Sequence, residues 1–452
     1  MKRFISFLIL MLLVSLTIAQ TKWDGVTITP VTAVNNVYTI SNGAELAWVA
    51  QQCKDTIKDF SNSTILINDN IDLDNHEWTP IGTSYNPFKG AVKGNWKIIS
   101  NLKISIILDT ESDNMGLFGY IEGDEIKQPH ISNLFLENVN VSGIKAVGAM
   151  VGYANYYIFD SCYVNKGTVT GSIAVGGFAG HLRYTACTDS YTKVDVTASE
   201  KYGGGFVGIN DSSDNRLIIT YCYARGAVKG TKVEDTTLYI GINGGFVGLN
   251  NGKVKSAYMI SNPITGEITG NFCGINSKSG QFDNCYFCET YYKSLPGIGL
   301  DSAVPPIDER DMVPQGVGQM TSQGFVGSGS SGLNGSGINF HWSMDFTKQP
   351  TINDRYPIHL WQFLYLYDSS AHIESLPGTS LSIYPNPVRN TLYIEIENIP
   401  VEKVEIVDLL GKPIISRKSN YEAVDMSQFN NGIYFVKIYT GKNIITRKFI
   451  KQ

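Results

Sequence analysis

The sequence predicts an all-β protein: a parallel β-helix, or solenoid, followed by a small immunoglobulin-like β-sandwich at the C-terminus. Three observations carry that prediction. A Gly-Gly-Phe-(Val/Ala)-Gly motif recurs as Gly176-Gly177-Phe178-Ala179-Gly180, Gly204-Gly205-Phe206-Val207-Gly208 and Gly244-Gly245-Phe246-Val247-Gly248. Weaker copies lie at Gly148-Ala149-Met150-Val151-Gly152, Gly116-Leu117-Phe118-Gly119 and Phe272-Cys273-Gly274. A repeat at a spacing of roughly 26 to 40 residues is the signature of stacked units, each burying its face on the next. Second, 45 Gly and 25 Tyr with only 17% charged residues favour turns and strands with polar, uncharged faces over helices. Third, the repeat gives way near the C-terminus to short β-like runs at roughly 8- to 12-residue spacing, the pattern of a small sandwich.

The chain opens with Lys2 and Arg3, an apolar run from Phe4 to Ile18, and small residues Thr17 and Ala19 ahead of a cut before Gln20. Residues 1–19 therefore read as a secretory signal peptide. A membrane anchor would need roughly 20 apolar residues. No other run of that length follows, so the mature chain is expected to leave the cytoplasm without a transmembrane segment.

Residues 20–113 are assigned to an N-terminal cap and the first coils. Within Tyr38–Ala50 a strand runs into a short helix: Asn42 with Glu45 makes a capping box, and Leu46, Val49 and Ala50 give one apolar face. Such a helix would cover the solenoid's open end. Thr64–Ile67 and Ile71–Asp74 alternate as strands do. Asp69, Asp72 and Asp74 are either a hard-cation cluster or a solvent face, and alternation with Ile71 and Leu73 favours the solvent face. No cofactor is assigned, calcium being the one left open.

Residues 114–290 are the repeats proper. Each unit has the glycine motif, a segment such as Asp160-Ser-Cys-Tyr163 or Thr220-Tyr-Cys-Tyr223, and a run such as Thr168-Val-Thr-Gly171. Three short strands per coil describe a parallel β-helix, with Phe118, Met150, Phe178, Phe206 and Phe246 expected in one buried ladder. The paired glycines suit corners that need positive φ or close backbone approach. Seven cysteines cannot all pair internally, and Cys162, Cys187, Cys222 and Cys285, taken as equivalent positions, read as small buried hydrophobes. Cys285-Tyr-Phe-Cys288 lacks the second ligand pair a zinc site needs. Extra residues at Asp211–Arg216 and Thr231–Leu238 are expected to project from one face.

Residues 291–375 read as a flexible Gly-, Pro- and Ser-rich insertion, then a closing segment with aromatic clusters at Phe340-His-Trp342 and Arg355–Trp361. In residues 376–452 the seven β-like runs are Leu381–Tyr384, Leu392–Glu397, Lys403–Asp408, Pro413–Ser416, Tyr421–Asp425, Gly432–Tyr439 and Asn443–Ile450.

Two resemblances cover most of the chain. The opening motif (Asn68–Leu73, Trp78–Gly82, Pro87–Gly90), the units from Gly116 to Tyr286 and the closing Tyr356-Pro357…Trp361 resemble the GLUG-motif family of bacterial surface proteins, including GLUG segments attached to immunoglobulin A proteases. The stretch from Tyr291 to Gly337 departs from that pattern. The tail is similar to the C-terminal sorting domain of the type IX secretion system of Bacteroidota, through Tyr384-Pro385-Asn386-Pro387, Asp408…Gly411, Gly432-Ile-Tyr434 and a basic end containing Lys448. That resemblance implies recognition by an outer-membrane translocon, then release or attachment at the cell surface.

Chemistry is sparse. His76-Glu77 is followed by Trp78-Thr79-Pro80, so there is no His-Glu-x-x-His zinc motif, and neither a Gly-x-Ser-x-Gly elbow nor a Walker loop occurs. A net charge of −5 without a dense Lys/Arg block excludes a nucleic-acid footprint. Asp160, Arg183, Asp189, Arg225 and Asp283 are the candidates for polysaccharide cleavage on a β-helix, although their places near corners equally suit solvated turns. The expectation is a secreted or cell-surface, non-catalytic adhesin-like protein that binds a glycan or a host or matrix protein. A polysaccharide lyase or hydrolase and a structural stalk are the alternatives.

Overall fold

The computed structural model describes residues 22–105, 113–212, 216–232, 239–261, 263–289 and 295–303, shorter stretches between 312 and 362, and most of 380–451. The signal peptide expected at residues 1–19 lies outside the described residues. The chain divides into two units, 1–357 and 358–452.

The first unit is a parallel β-solenoid of about nine turns. One coil shows how it is built. The first face takes Ala146–Gly148, the second Val151–Asn155, and the third Ile158–Asp160 followed, after a bend, by Tyr163–Gly171. Each strand pairs in parallel with its equivalent one coil away, so Gly148, Gly176, Gly204, Gly244 and Gly270 form a single column. Short strands gain little alone, and their burial comes from this stacking.

The two glycine roles separate in the structure. A Cβ on Gly204 would lie 2.0 Å from the Val207 carbonyl oxygen and one on Gly244 2.1 Å from that of Val247, so the motif glycines serve close backbone approach. Positive φ falls instead on Ser161 (54°), Asp189 (48°), Tyr221 (53°), Ser256 (48°) and Asn284 (57°), at the bend of the third face.

Inside, Phe178, Phe206, Phe246 and Phe272 stack with centroid separations of 4.9, 5.1 and 4.8 Å, and all four are fully buried. Met150 continues this column, its N–H bonding the Phe178 carbonyl. Phe118 does not belong to it as expected. The motif at Gly116 is one residue short, so Phe118 pairs with Val151 while Leu117 alone spans the places of Ala149 and Met150. Phe118 packs on Phe88 instead, at 5.6 Å.

The cysteines are all free and buried, and Cys187 is not equivalent to the other three. Cys187 pairs with Phe159 and Ile219, whereas the tyrosine register sets Cys162, Ser190, Cys222, Ala257 and Cys285 in one column. Cysteines in that column are never on adjacent coils. Their thiols bond carbonyls, Cys162 Sγ to Ile131 O at 3.4 Å for example, and burial pushes Cys162 up to about 12.

The N-terminal helix, Gly43–Lys54, has the expected cap: Asn42 Oδ1 accepts from the Glu45 N–H at 3.0 Å, while Glu45 Oε2 accepts from Ser41 N–H at 2.6 Å. Leu46, Val49, Ala50 and Cys53 enter the core. Asp72 accepts from Asn101 at 2.7 Å and Asp74 pairs with Lys22 at 2.7 Å, and no metal-binding acidic cluster occurs among the described residues.

Periodicity does not end at Tyr291. Ile298–Asp301 pairs in parallel with Cys273–Asn276, and Met312–Gln315 with Cys285–Cys288, adding a further coil. The described part of the closing segment packs on the flank of the third face. Trp342 meets Tyr258 at 5.2 Å, and Asn353 donates to Tyr258 Oη at 2.9 Å.

Among its described residues the second unit has the seven expected strands in two antiparallel sheets, of three and four strands, around Leu392, Ile394, Val404, Ile406, Val436, Ile438 and Phe449.

Two outcomes follow from this packing. Phe206→Ala is expected to cost the solenoid about 3–5 kcal/mol in chemical unfolding, because its cavity is bounded by two rings that cannot close on it. Tyr85→Ala, at a side chain 95% exposed, serves as the near-neutral control. A thiol reagent at mildly alkaline pH is expected to modify none of the seven cysteines in the native protein and all seven after denaturation without reductant. Fewer in the denatured state would mean disulfides.

Candidate functional site

The site is built on the second face. Parallel register sets Tyr120, Tyr153, His181, Ile209, Leu249, Ile275 and Leu300 in one column. Ala154 and Leu182, one residue on from Tyr153 and His181, are fully buried, so the column is the outward position of an alternating strand. It changes character along the axis. The first three members are aromatic and polar, and the rest are aliphatic.

Glu122, Asn155, Arg183 and Asp211 form a further column beside the polar part of the first, Asn155 buried and the other three at least partly exposed. The rings of Tyr120 and Tyr153 stack at 4.5 Å, and Tyr153 meets His181 edge-on at 4.9 Å. At the following corner Tyr156 stacks on Tyr184 at 5.0 Å, and the Arg183 guanidinium lies over Tyr184, 5.1 Å from its centroid. Face-to-face stacking along the axis occupies the faces that would otherwise pack against a sugar ring. What faces solvent is hydroxyls, a guanidinium and carboxylates, while His181 is largely covered and its Nε2 is buried.

Electrostatics tie these groups together. Burial pushes Tyr120 up to about 12, with the neighbouring Tyr153 hydroxyl adding to the shift. Arg183 is raised by its hydrogen bond to the Tyr153 oxygen. His181 beside Asp211 holds that carboxyl below the usual carboxylate range, helped by Arg183. The His181 Nε2 to Asp211 Oδ2 separation is 3.7 Å, beyond hydrogen-bond length, so we treat the pair as electrostatic contact. This arrangement suits hydrogen bonding to a hydroxyl-rich polymer running along the coils.

The five residues named as cleavage candidates are not brought together. Asp160 and Asp283 lie in one column of the third face, with Lys255 2.8 Å from Asp283, and Asp189 sits at the adjacent bend. Arg225 is on the other limb of that face, donating to Asn353 Oδ1 at 2.7 Å. Only Arg183 belongs to the second-face site. The two insertions also leave from different corners. Asp211 ends a second-face strand, whereas Thr231 pairs with Ile240 in a hairpin at the end of the third face.

Sequence reading missed a buried amide ladder beneath this face. Asn210 Nδ2 donates to Asn250 Oδ1 at 2.8 Å, Asn250 Nδ2 to Asn276 Oδ1 at 3.0 Å, and Asn276 Nδ2 to Asp301 at 2.9 Å. Its signal is the recurring Gly-(Ile/Leu)-(Asn/Asp) at 208–210, 248–250, 274–276 and 299–301. A cavity of about 410 Å³ lies elsewhere, beside the cap helix, lined by Lys58, Asp59, Phe60 and Asn86. Its carboxylate, Asp59, is already 3.2 Å from Lys89.

In the tail, Tyr384 stacks on Tyr393 at 5.5 Å with its hydroxyl bonded to Glu395. Tyr434 donates to Asn430 O at 2.8 Å, Gly432 pairs with Lys451, and the backbone of Lys448 pairs with Phe435. Pro385, Asn386, Pro387, Asp408 and Gly411 lie outside the described residues.

Residues 382–452 match the family described as the secretion system C-terminal sorting domain. The chain is accordingly a secreted or outer-membrane surface-attached protein whose tail engages the secretion machinery. No helix among the described residues is long and apolar enough to cross a membrane. The chain is 30% identical over 81 residues to Ulvan lyase NLR42 of Nonlabens ulvanivorans, a stretch that is 17% of this chain and 15% of that protein. A solved structure of a candidate immunoglobulin A1 protease from Bacteroides ovatus is 17% identical, with 72% of this chain and 92% of that one covered, at a TM-score of 0.42.

The Asp211 contact has a measurable sign. Its folded carboxyl is depressed, so it stabilises the protein above the unfolded value of about 3.9, and that contribution is lost as pH falls through the folded value. In thermal melts from pH 6 to 2, the stability gap between the native protein and Asp211→Asn is expected to shrink with acid. A gap independent of pH would remove the electrostatic contact.

Proposed function

We propose that this is a non-catalytic, adhesin-like protein of GLUG type that binds a glycan on the second face of its solenoid and is exported by the type IX system. The observation that carries the reading is the outward track of Tyr153, His181, Arg183 and Asp211 on adjacent coils, with Tyr120 and Glu122 preceding. A repeated scaffold presenting hydrogen-bonding groups at one coil spacing suits a polymer with repeating hydroxyls. The face is an open sheet, and the carboxylates proposed for cleavage lie elsewhere, which supports binding over turnover. The sorting domain supports a surface role. Its strands divide as first, second and fifth against third, fourth, sixth and seventh, an order that supports reading it as an immunoglobulin-like sandwich.

One observation favours a second reading, polysaccharide cleavage. Tyr153, His181 and Arg183 supply a phenol and an imidazole in ring contact and a guanidinium on the same coil as the imidazole, the group types an elimination reaction uses for proton transfer and charge neutralisation. The partial likeness to an ulvan lyase agrees with it.

A glycan and matrix-protein array with the purified full-length protein, with and without calcium, separates the readings. Selective glycan binding that falls about tenfold in Tyr153→Ala, with the sugar's mass unchanged, is the expected result. A shortened or unsaturated product would overturn the non-catalytic reading, and the absence of any selective ligand would favour a stalk.

A further inference from the structure

Resting on the reading that the second face binds a glycan, we propose that the glycan is anionic, bearing carboxylate or sulfate groups, and that Arg183 selects it. Arg183 is solvent-exposed, its guanidinium lying over the Tyr184 ring 5.1 Å from the centroid, with the Tyr153 oxygen contributing to its electrostatic surroundings. Both tyrosines are themselves held by stacking, Tyr184 on Tyr156 and Tyr153 on Tyr120. An arginine held this way loses little further freedom on binding, and its planar fork matches a carboxylate or sulfate through two parallel hydrogen bonds.

No carboxylate among the described residues lies within 4.0 Å ion-pair distance of Arg183. Two carboxylates share its column, Asp211 on the next coil and Glu122 two coils back, and each has a nearer partner. Asp211 lies 3.7 Å from His181 Nε2, while Arg183 acts on it only at longer range. Glu122, two coils away, accepts from Asn155 Nδ2 at 3.3 Å. A protein that only needed this arginine for stability would be expected to pair it with the adjacent Asp211. Left as it is, the fork is completed by an anion from outside. The chain's net charge of −5 offers no general attraction to a polyanion, so the selection is local to this residue.

The test compares oligosaccharides of matched length by calorimetry with the full-length protein at about 0.15 M salt, where charges beyond about 8 Å are screened. Oligogalacturonate supplies carboxylates, carrageenan oligosaccharides supply sulfates, and fully methyl-esterified galacturonan is the neutral control. One of the two anions is expected to bind about tenfold or more tightly than the neutral sugar, and which one identifies the group. Arg183→Gln is expected to erase that preference, Arg183→Lys to restore only part of it, and Asp211→Asn to strengthen anion binding a few-fold by removing the nearest negative charge. A fold defect would not produce gain in one variant and loss in the other. Equal binding of neutral and anionic sugars, unchanged in Arg183→Gln, would overturn this proposal and leave the glycan reading standing. Binding of no oligosaccharide at all would overturn both.

Discussion

Residue-to-residue parallel register between coils is the constraint on which the rest of the molecule depends. Along the described strands of the solenoid, a side chain has as its neighbours along the axis the same position one coil earlier and later. Interior columns therefore repeat one chemistry, whereas an outward column is free to change along the axis, as from Tyr120 to Leu300. The phenylalanines from Phe178 to Phe272 fill the interior as stacked rings, and buried amides from Asn210 to Asn276 hydrogen-bond in series because each meets its own kind, only Asn210 Oδ1 at the head of the ladder lacking a donor. Losing one residue, as at Gly116–Phe118, moves the following side chain to a different column.

The fold was largely legible because repetition is written in the spacing. Motif copies located the coils, the Asn42 and Glu45 pair located the cap helix, and turn residues located all seven strands of the tail. What stayed hidden were matters of registration. Cys187 and Cys222 look alike in the sequence, yet Cys187 lies on the strand before the bend and Cys222 immediately after it. Ile298–Asp301 escaped notice because it keeps only the glycine, the aliphatic and the final polar residue of the repeat. Of the two roles expected for the motif glycines, close backbone approach is the one they serve, and positive φ falls on Ser, Asp, Tyr and Asn at the bend.

The site was less legible still. Tyr120, Tyr153 and His181 each follow the last glycine of a motif copy, 28 to 33 residues apart, but that position carries a different residue type in later copies, and Arg183 lies outside the motif, so only register shows the cluster. Arg183 was singled out for the wrong partnership, with acidic residues that lie on another face. Ligand recognition on such a surface needs no cleft. Side chains that deviate from the aliphatic column are enough, and in this molecule they are confined to its N-terminal half, from Tyr120 to Asp211.

Hydrogen–deuterium exchange on the full-length protein, with and without a glycan captured from the array, tests the central claim most directly. Protection is expected in peptides spanning 118–123, 151–156, 179–184 and 207–212, with little change at the aliphatic coils 247–250 and 273–276. Protection confined to the third face around Tyr223 and Tyr258, or to the tail, would contradict a binding track on the second face.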